Sequence, residues 1–153
     1  QPLFTALLTS SSATTLPVSM IAAEKELGVD RAKASFILPL GATANMDGTA
    51  LFEGIAAIYL AYMFGIDLGS TEIITVFLIS MLSSIGAPGM PSGSMAGMQL
   101  VLLAVGIPLE AIALLLLIER PLDTFRTAVN VEGDLAGCLV VEHLISGSQK
   151  ATS

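Results

Sequence analysis

A carboxylate that interrupts an apolar run is the first residue whose type and place could do chemistry. Asp47 lies in a polar break at residues 45–49, inside a segment that is otherwise apolar from residue 34 to residue 64. A carboxylate near the middle of a membrane-length segment costs several kcal/mol unless it is paired, protonated or bound to a cation. Gly48 lowers the helix propensity by about 1 kcal/mol, and Asn45 adds a side-chain oxygen to its backbone carbonyl. The pattern predicts an interrupted helix whose freed carbonyls face a cation.

A second set of polar side chains follows one face of the last predicted helix, which starts near Glu110. At about 100° per residue, these polar positions fall within a narrow stripe. The stripe contains Asp123, Thr127, Asn130 and Asp134, with Glu119 and Arg126 at its edge. The other faces are apolar at residues 111–118 and at Leu122, Phe125, Val129 and Val131. We therefore predict that the stripe points into a bundle or cavity, and a solvated helix face is the alternative.

The same stripe argues against an enzyme. Asp123 and Asp134 are separated by 11 positions, which places them roughly 16 Å apart along a helix, too far to share a reaction centre. The single histidine, His143, cannot build a soft-metal site alone, and the single cysteine, Cys138, cannot form an internal disulfide. We predict no catalytic residues.

The composition sets the class of protein that must position these residues. Of 153 residues, 54% are hydrophobic and 12% are charged, and the mean hydropathy is +0.83, whereas a soluble domain has a charged share of about 25%. We predict an all-α integral membrane segment in contact with lipid. The net charge of −7 argues against a nucleic-acid partner. No initiator methionine or signal peptide precedes the first helix, so we expect a fragment of a longer chain.

Two stretches of small residues predict places where the backbone leaves the helical pattern. Residues 9–15 are all small or hydroxyl-bearing, which favours the tip of a re-entrant hairpin over a surface loop. Pro17 is then expected in the first turn of a helix that runs to about Leu27. The charged loop at residues 24–33 holds three of the six cationic residues and is predicted to be cytoplasmic. Residues 34–64 are predicted to cross the bilayer with the break described above.

The second stretch lies at residues 83–94, between apolar segments at residues 73–82 and 95–107. Each segment is shorter than the roughly 20 residues that span a bilayer. Two half-length helices around such a tip predict a second re-entrant hairpin, and two short helices of a soluble core are the alternative. Gly133 and Gly137 permit close helix approach, and residues 147–153 form a polar tail that we expect to be disordered.

Four motifs in this order resemble one family. They are the serine-rich tip before Leu16-Pro17, the break Asn45-Met46-Asp47-Gly48-Thr49, the tip from Ser84 to Ser94, and Asp123-x-x-Arg126-Thr127-x-x-Asn130-x-x-x-Asp134. They look like the glutamate/aspartate transporter family, the dicarboxylate/amino acid:cation symporters. The resemblance implies that residues 1–146 are the C-terminal part of a transport domain: the second arm of hairpin 1, a discontinuous helix 7, hairpin 2 and helix 8. The scaffold helices that form the family's homotrimer would lie outside this chain.

The family's function would be secondary active symport of acidic amino acids or C4-dicarboxylates, driven by sodium, with an elevator motion. The setting would be a multi-pass protein of the cell membrane. The choice of substrate, the number of sodium ions, and proton or potassium coupling stay open. A transporter of the same fold for neutral amino acids is one alternative, which Arg126 disfavours because a buried guanidinium without an anionic partner is costly. A membrane channel is another alternative.

The resemblance also implies a substrate site. Arg126 would hold the side-chain carboxylate, because a planar guanidinium pairs two oxygens at once. Asp123 would bind the amino group. The other implied substrate contacts are Ser11, Ser12, Thr49, Met90, Ser94, Thr127 and Asn130.

Sodium ions would be transported rather than held as a prosthetic group, and the resemblance implies three sites built from hard oxygen donors. The first would use Asp134 with the carbonyls of Gly41, Asn45 and Asn130. The second would use Asp47, the Asn45 side chain and residues outside this chain. The third would use the carbonyls of Ser84, Ile85 and Ala87, plus Thr43. Glu53 would be the proton carrier, and the alternative is a hydrogen-bonded buried glutamate with no transport role.

Two departures from the family pattern stand out. The family usually carries a second arginine at the position of Ser10 or Thr124, and neither residue is basic here. The tip at residues 87–93 has an added proline and one glycine fewer than common versions, which predicts a stiffer tip.

Overall fold

The chain folds into helices joined by short turns in this computed structural model, which describes the backbone of residues 1–151 and the side chains of residues 1–146. A 3₁₀ turn, Leu109–Ala111, precedes the last helix. The described residues contain no strand, so the all-α prediction is confirmed. The helices are α1 (Pro2–Thr9), α2 (Ser12–Lys25), α3 (Arg31–Ala44), α4 (Asp47–Met63), α5 (Ser70–Ser84), α6 (Ser94–Ala104) and α7 (Ile112–Ala151).

The serine-rich stretch forms the turn between α1 and α2, which pack against each other. Ser10 adopts a left-handed conformation (φ 50°), and the Ser11 hydroxyl caps α2 by accepting the Thr14 N–H at 3.2 Å. We call residues 10–11 the first tip. It is shorter than the predicted 9–15, because the Ser11 cap starts α2 early. The prediction that Pro17 lies in the first turn is therefore wrong, since Pro17 lies inside α2.

The break predicted within residues 34–64 is confirmed and covers two residues. Asp30 caps the start of α3 by accepting the N–H groups of Ala32 and Lys33, at 3.0 and 3.3 Å. Asn45 and Met46 separate α3 from α4, which resumes at Asp47.

The second stretch of small residues connects α5 to α6, which pack against each other. We call residues 85–93 the second tip. Gly86 and Ser92 have positive φ values of 83° and 62°, and for Ser92 this left-handed conformation is uncommon.

The last helix extends further than predicted. Because α7 continues to Ala151, the prediction of a disordered polar tail is wrong as far as that residue; residues 152–153 lie outside the described part of the chain. Among the helices of the described part, none combines the length and the apolar character that a single bilayer crossing requires.

Helix α7 packs against α1, α2, α3 and α4 and separates two apolar clusters. The larger cluster joins α4, α5, α6 and the start of α7, and includes Leu60, Val76, Met98 and Leu102. The smaller cluster joins α2, α3 and the later part of α7 around Leu38. Between the two clusters lies the polar stripe of α7, all of whose members are buried, together with Glu119 and Arg126. The prediction that the stripe faces the interior is confirmed.

Candidate functional site

Arg126 is the centre of the buried site. Its side chain is 4% exposed, and its Nη2 donates hydrogen bonds to Glu119 Oε1 at 3.2 Å and to Asp123 Oδ1. Helical spacing explains this arrangement, because residues three and seven positions before Arg126 lie on the same face of α7. Its Cζ lies 4.5 Å from the centroid of the Phe52 ring on α4, a favourable cation–π distance.

The other terminal nitrogen of Arg126 is open. Nη1 is buried and has no hydrogen-bond partner among the described residues. An unpaired buried donor costs about 1–3 kcal/mol, and more when it is charged. The arrangement therefore leaves one position on the guanidinium where an oxygen anion would be stabilised.

Arg126 lines a small cavity closed by both tips. The cavity volume is about 10 Å³, roughly the space of one water molecule. Ser10, Met46, Pro88, Gly89 and Gly93 contribute to its wall. The predicted substrate residues in the wall are Ser12, Thr49, Met90, Ser94, Asp123, Arg126, Thr127 and Asn130. Of the predicted set, only Ser11 does not line it.

Ser11 instead joins the two tips. Its hydroxyl donates to the Gly89 carbonyl at 2.8 Å, and the Ala13 N–H donates to the same carbonyl at 3.2 Å. A Cβ atom at Gly89 would lie 2.9 Å from the Ala42 carbonyl oxygen, so only glycine fits this close approach. The Gly86 N–H donates to the Thr43 carbonyl at 2.8 Å. The second tip is thus fastened to the first tip and to the end of α3.

The second tip is held to α7 by Ser92, which the sequence did not single out, and by Glu119, which lies at the edge of the predicted stripe. The Ser92 N–H donates to Asp123 Oδ2 at 3.0 Å, and the Ser92 hydroxyl donates to Glu119 Oε2 at 3.1 Å. The contact of Glu119 with Arg126 could have been predicted from their seven-residue spacing on one helix. Ser92 could not, because nothing in the sequence distinguishes it from Ser94.

Asn130 caps the helix that follows the break. Its Oδ1 accepts the N–H groups of Gly48 and Thr49 at 2.8 and 3.4 Å, and its Nδ2 donates to Met46 Sδ and Thr49 Oγ1 at 3.2 and 3.3 Å. The cap position of α4 itself, Met46, makes no side-chain cap. A residue of α7 therefore satisfies the free N–H groups that any helix start leaves.

Four of the five residues predicted for the first two sodium sites come together beside the break, and the fifth, Asn130, lies in the wall of the arginine cavity instead. Asn45 Nδ2 donates to Asp134 Oδ1 at 3.1 Å, and a Cβ at Gly41 would overlap that oxygen. Asp47 lies on the same side, since a Cβ at Gly133 would lie 2.6 Å from Asp47 Oδ2. These four residues and Gly133 line one cavity of about 290 Å³.

The donor set around this cavity fits a hard monovalent cation. It offers carboxylate, amide and backbone oxygens beside a helix break, which is where such ions bind in transporters. The described residues contain no group of three or more His, Cys, Asp or Glu side chains that could hold a metal ion. The Asp47 side chain is exposed in the described part of the chain, so this carboxylate is not buried among the helices.

Two of the four residues predicted for the third sodium site, Thr43 and Ser84, contact the second tip through their carbonyl groups. The Gly86 contact places the Thr43 carbonyl against the second tip, and the Ala87 N–H donates to the Ser84 carbonyl at 3.2 Å. The Thr43 hydroxyl donates to the Leu40 carbonyl at 3.0 Å. Ile85 follows Ser84 as the C-cap of α5. The carbonyls of Thr43 and Ser84 therefore each accept an N–H of the second tip.

Glu53 is fully buried between α4, α5 and α6. Its Oε2 accepts a hydrogen bond from the Ser83 hydroxyl, and its Oε1 has no partner among the described residues. Gly97 of α6 packs directly against the carboxyl group, because a Cβ there would overlap Oε1. The structure thus places Glu53 outside the wall of the arginine cavity, one helix turn from Thr49.

The fold and the site define an all-helical protein with a small, buried and charged cavity. The model of the Sodium:dicarboxylate symporter family matches residues 1–144, and the chain belongs to this family. It is similar to Excitatory amino acid transporter 2 of Homo sapiens, 49% identical over 144 residues, which are 94% of this chain and 25% of the relative. It is similar to Excitatory amino acid transporter 3 of Mus musculus, 46% identical over 94% of this chain and 28% of the relative. The chain therefore spans about a quarter of the length of these relatives.

Proposed function

We propose that this chain is part of a sodium-coupled symporter that carries acidic amino acids or C4-dicarboxylates. The observation that carries the proposal is the open Nη1 of Arg126 in a cavity closed by both tips. The names of the relatives, excitatory amino acid transporters, support the same substrate class. Transport, and not catalysis, is the activity that a symporter family implies.

The substrate's side-chain carboxylate would bind Arg126, and Asp123 would bind the amino group. Ser12, Thr49, Met90, Ser94, Thr127 and Asn130 would complete the contacts, while Ser11 would act through the tip. Because the cavity has a volume of about 10 Å³, one tip must move before an amino acid enters. The second tip is the moving part in this proposal, and its closure would exclude water from the site.

Sodium would bind beside the break, where Gly41, Asn45, Asp47 and Asp134 meet, and at the carbonyls of Ser84, Ile85 and Ala87 near Thr43. The helix pairs around the two tips would be re-entrant hairpins in a multi-pass protein of the cell membrane. The full protein would work as a homotrimer with an elevator motion against a scaffold outside this chain. Glu53 is the proposed proton carrier.

Transport of neutral amino acids is the second candidate, and one observation favours it. Glu119 and Asp123 already pair with Arg126, and no second cation lies in the cavity wall. A zwitterion without a side-chain carboxylate would disturb this charge balance least. Competition by serine and alanine tests this candidate directly.

The test uses the full-length parent protein in liposomes. Radiolabelled aspartate uptake is measured with an inward sodium gradient and with sodium replaced by choline. We expect uptake that requires sodium and falls at least about 100-fold in Arg126→Ala, because the charged partner of the substrate carboxylate in a dry site is lost. Arg120→Ala is the matched control, since Arg120 is an exposed arginine on the same helix.

Competition by glutamate and succinate would then identify the acidic substrate. Uptake that is indifferent to sodium and to Arg126→Ala would contradict the proposal. Passive flux that equilibrates without accumulation would indicate a channel. Competition by serine and alanine, but not by glutamate or succinate, would favour the neutral substrates.

A further inference from the structure

The second tip and the substrate arginine share the same two carboxylates. Glu119 uses Oε1 for Arg126 and Oε2 for Ser92, while Asp123 uses Oδ1 for Arg126 and Oδ2 for the Ser92 N–H. The four residues therefore form a closed ring, which we call the tip ring. The side chains of Glu119, Asp123 and Arg126 are each 4% exposed, so the ring is shielded from water.

We propose that Glu119 is a positioning residue that closes the second tip over the empty substrate site, by bridging Arg126 and Ser92. This inference rests on the proposed function in one respect, the assignment of Arg126 to the substrate carboxylate. Glu119 then occupies one nitrogen of the guanidinium when no substrate is bound. The open Nη1 stays available to a substrate carboxylate, so the bridge made by Glu119 matters most when the site is empty.

A charge argument explains why a carboxylate is used here. A buried guanidinium that faces an empty site needs an anion, or it carries a large desolvation cost. Glu119 and Asp123 supply that anion from α7 itself, and their second oxygens are free to accept hydrogen bonds from the tip. The cavity volume of about 10 Å³ is what a tip closed without substrate should leave.

The functional consequence concerns the return step. A symporter must reorient with its substrate site empty, and an open tip would block that step, whereas exchange of substrate for substrate needs no empty return. Weakening the tip ring should therefore slow net uptake and leave exchange intact. A residue with only a structural role would lower both.

The first measurement reads tip opening directly in the full-length parent. Pro91→Cys places a reporter thiol on an exposed residue of the second tip that is not a proposed substrate contact, and the native Cys138 is buried. Glu119→Gln keeps the size of the side chain but removes the charge that binds Arg126. Ser92→Gly removes the hydroxyl and suits the positive φ of that residue, and Ser92→Ala removes the same hydroxyl without added backbone freedom.

In the absence of substrate we expect each variant to raise the labelling rate of the reporter by about tenfold, the scale of one hydrogen bond to a charged group. The double variant Glu119→Gln with Ser92→Gly should add little, because both changes break one contact. With sodium and substrate present, the rates should return towards the wild-type value. Glu132→Gln, an exposed charge on α7, should have no effect.

The second measurement compares net uptake with exchange in liposomes. We expect Glu119→Gln to lower net uptake by about tenfold and to change exchange by less than about twofold. Labelling rates equal to wild type, or raised equally with and without substrate, would overturn the inference. The labelling without substrate does not depend on what is transported. If the protein does not transport acidic substrates but the tip ring closes the tip, the variants still show faster labelling of the reporter. Only the proposed function is then wrong.

Discussion

The contact between Gly97 and Glu53 fixes where a buried carboxyl group can lie. A Cβ at Gly97 would overlap Oε1 and would lie 3.0 Å from the carboxyl carbon and 3.2 Å from Oε2. Gly97→Ala should therefore push the carboxyl group away from Ser83 and lower the free energy of unfolding by about 1–3 kcal/mol. Thermal unfolding of the purified full-length parent in detergent measures this change.

Gly54→Ala provides the matched control for that prediction. The nearest atom to a Cβ at Gly54 is the Ser80 hydroxyl oxygen at 3.6 Å, an ordinary contact, so this change should be neutral or slightly stabilising through helix propensity. Equal stability of the two variants would show that Glu53 has room to move. Gly97 would then not fix the position of the Glu53 carboxyl group.

At the scale of the elements, α7 approaches the break at one glycine and not at the next. A Cβ at Gly133 would lie 2.6 Å from Asp47 Oδ2 and 3.0 Å from Asn45 Nδ2, whereas a Cβ at Gly137 would meet nothing within 4 Å. The sequence predicted close approach at both. Gly133→Ala should therefore disturb the proposed sodium residues, and Gly137→Ala should not.

We expect Gly133→Ala to raise the sodium concentration for half-maximal uptake by about tenfold, which corresponds to about 1.4 kcal/mol of lost sodium binding. Gly137→Ala should leave that concentration within about twofold of wild type. Uptake by the full-length parent at graded sodium concentrations makes the measurement. Equal sodium dependence in both variants would place the sodium site elsewhere.

The elements show how far sequence reasoning reaches. The break, the two tips and the buried stripe were predictable, because each depends on local composition or on helical periodicity. The start of α2 was missed because a single hydroxyl, that of Ser11, decides it. The contact of Ser92 with Glu119 spans 27 positions and depends on how the second tip folds, which periodicity does not specify. The Asn130 cap was missed for the same reason.

The whole molecule presents a largely apolar exterior around a polar interior. Large apolar side chains are exposed on several helices, for example Leu8 on α1, Tyr62 on α4, Phe77 on α5 and Leu117 on α7, with exposed fractions of 61% to 84%. Large apolar side chains exposed on this many helices favour contact with lipid or with other helices. We expect the 153-residue chain alone to stay monodisperse only in detergent.

Size-exclusion chromatography with light scattering, in the presence and absence of detergent, tests this expectation. Aggregation without detergent, and a micelle-bound species with it, is the expected result. A monodisperse chain in plain buffer would mean that the apolar faces cover one another in solution. That outcome would also weaken the proposed location in the membrane.

The Asn130 cap has a consequence for energetic coupling. The Asn130 amide holds the start of α4. On α7 it lies between Arg126, which lines the arginine cavity, and Asp134, which faces the break. In the proposed symporter, a sodium ion bound beside the break would fix the backbone there and so favour one position of Asn130. It would thereby also favour one shape of the cavity around Arg126. Such linkage is reciprocal by thermodynamic necessity. In the proposed symporter, whatever factor sodium contributes to substrate affinity, substrate must contribute equally to sodium affinity.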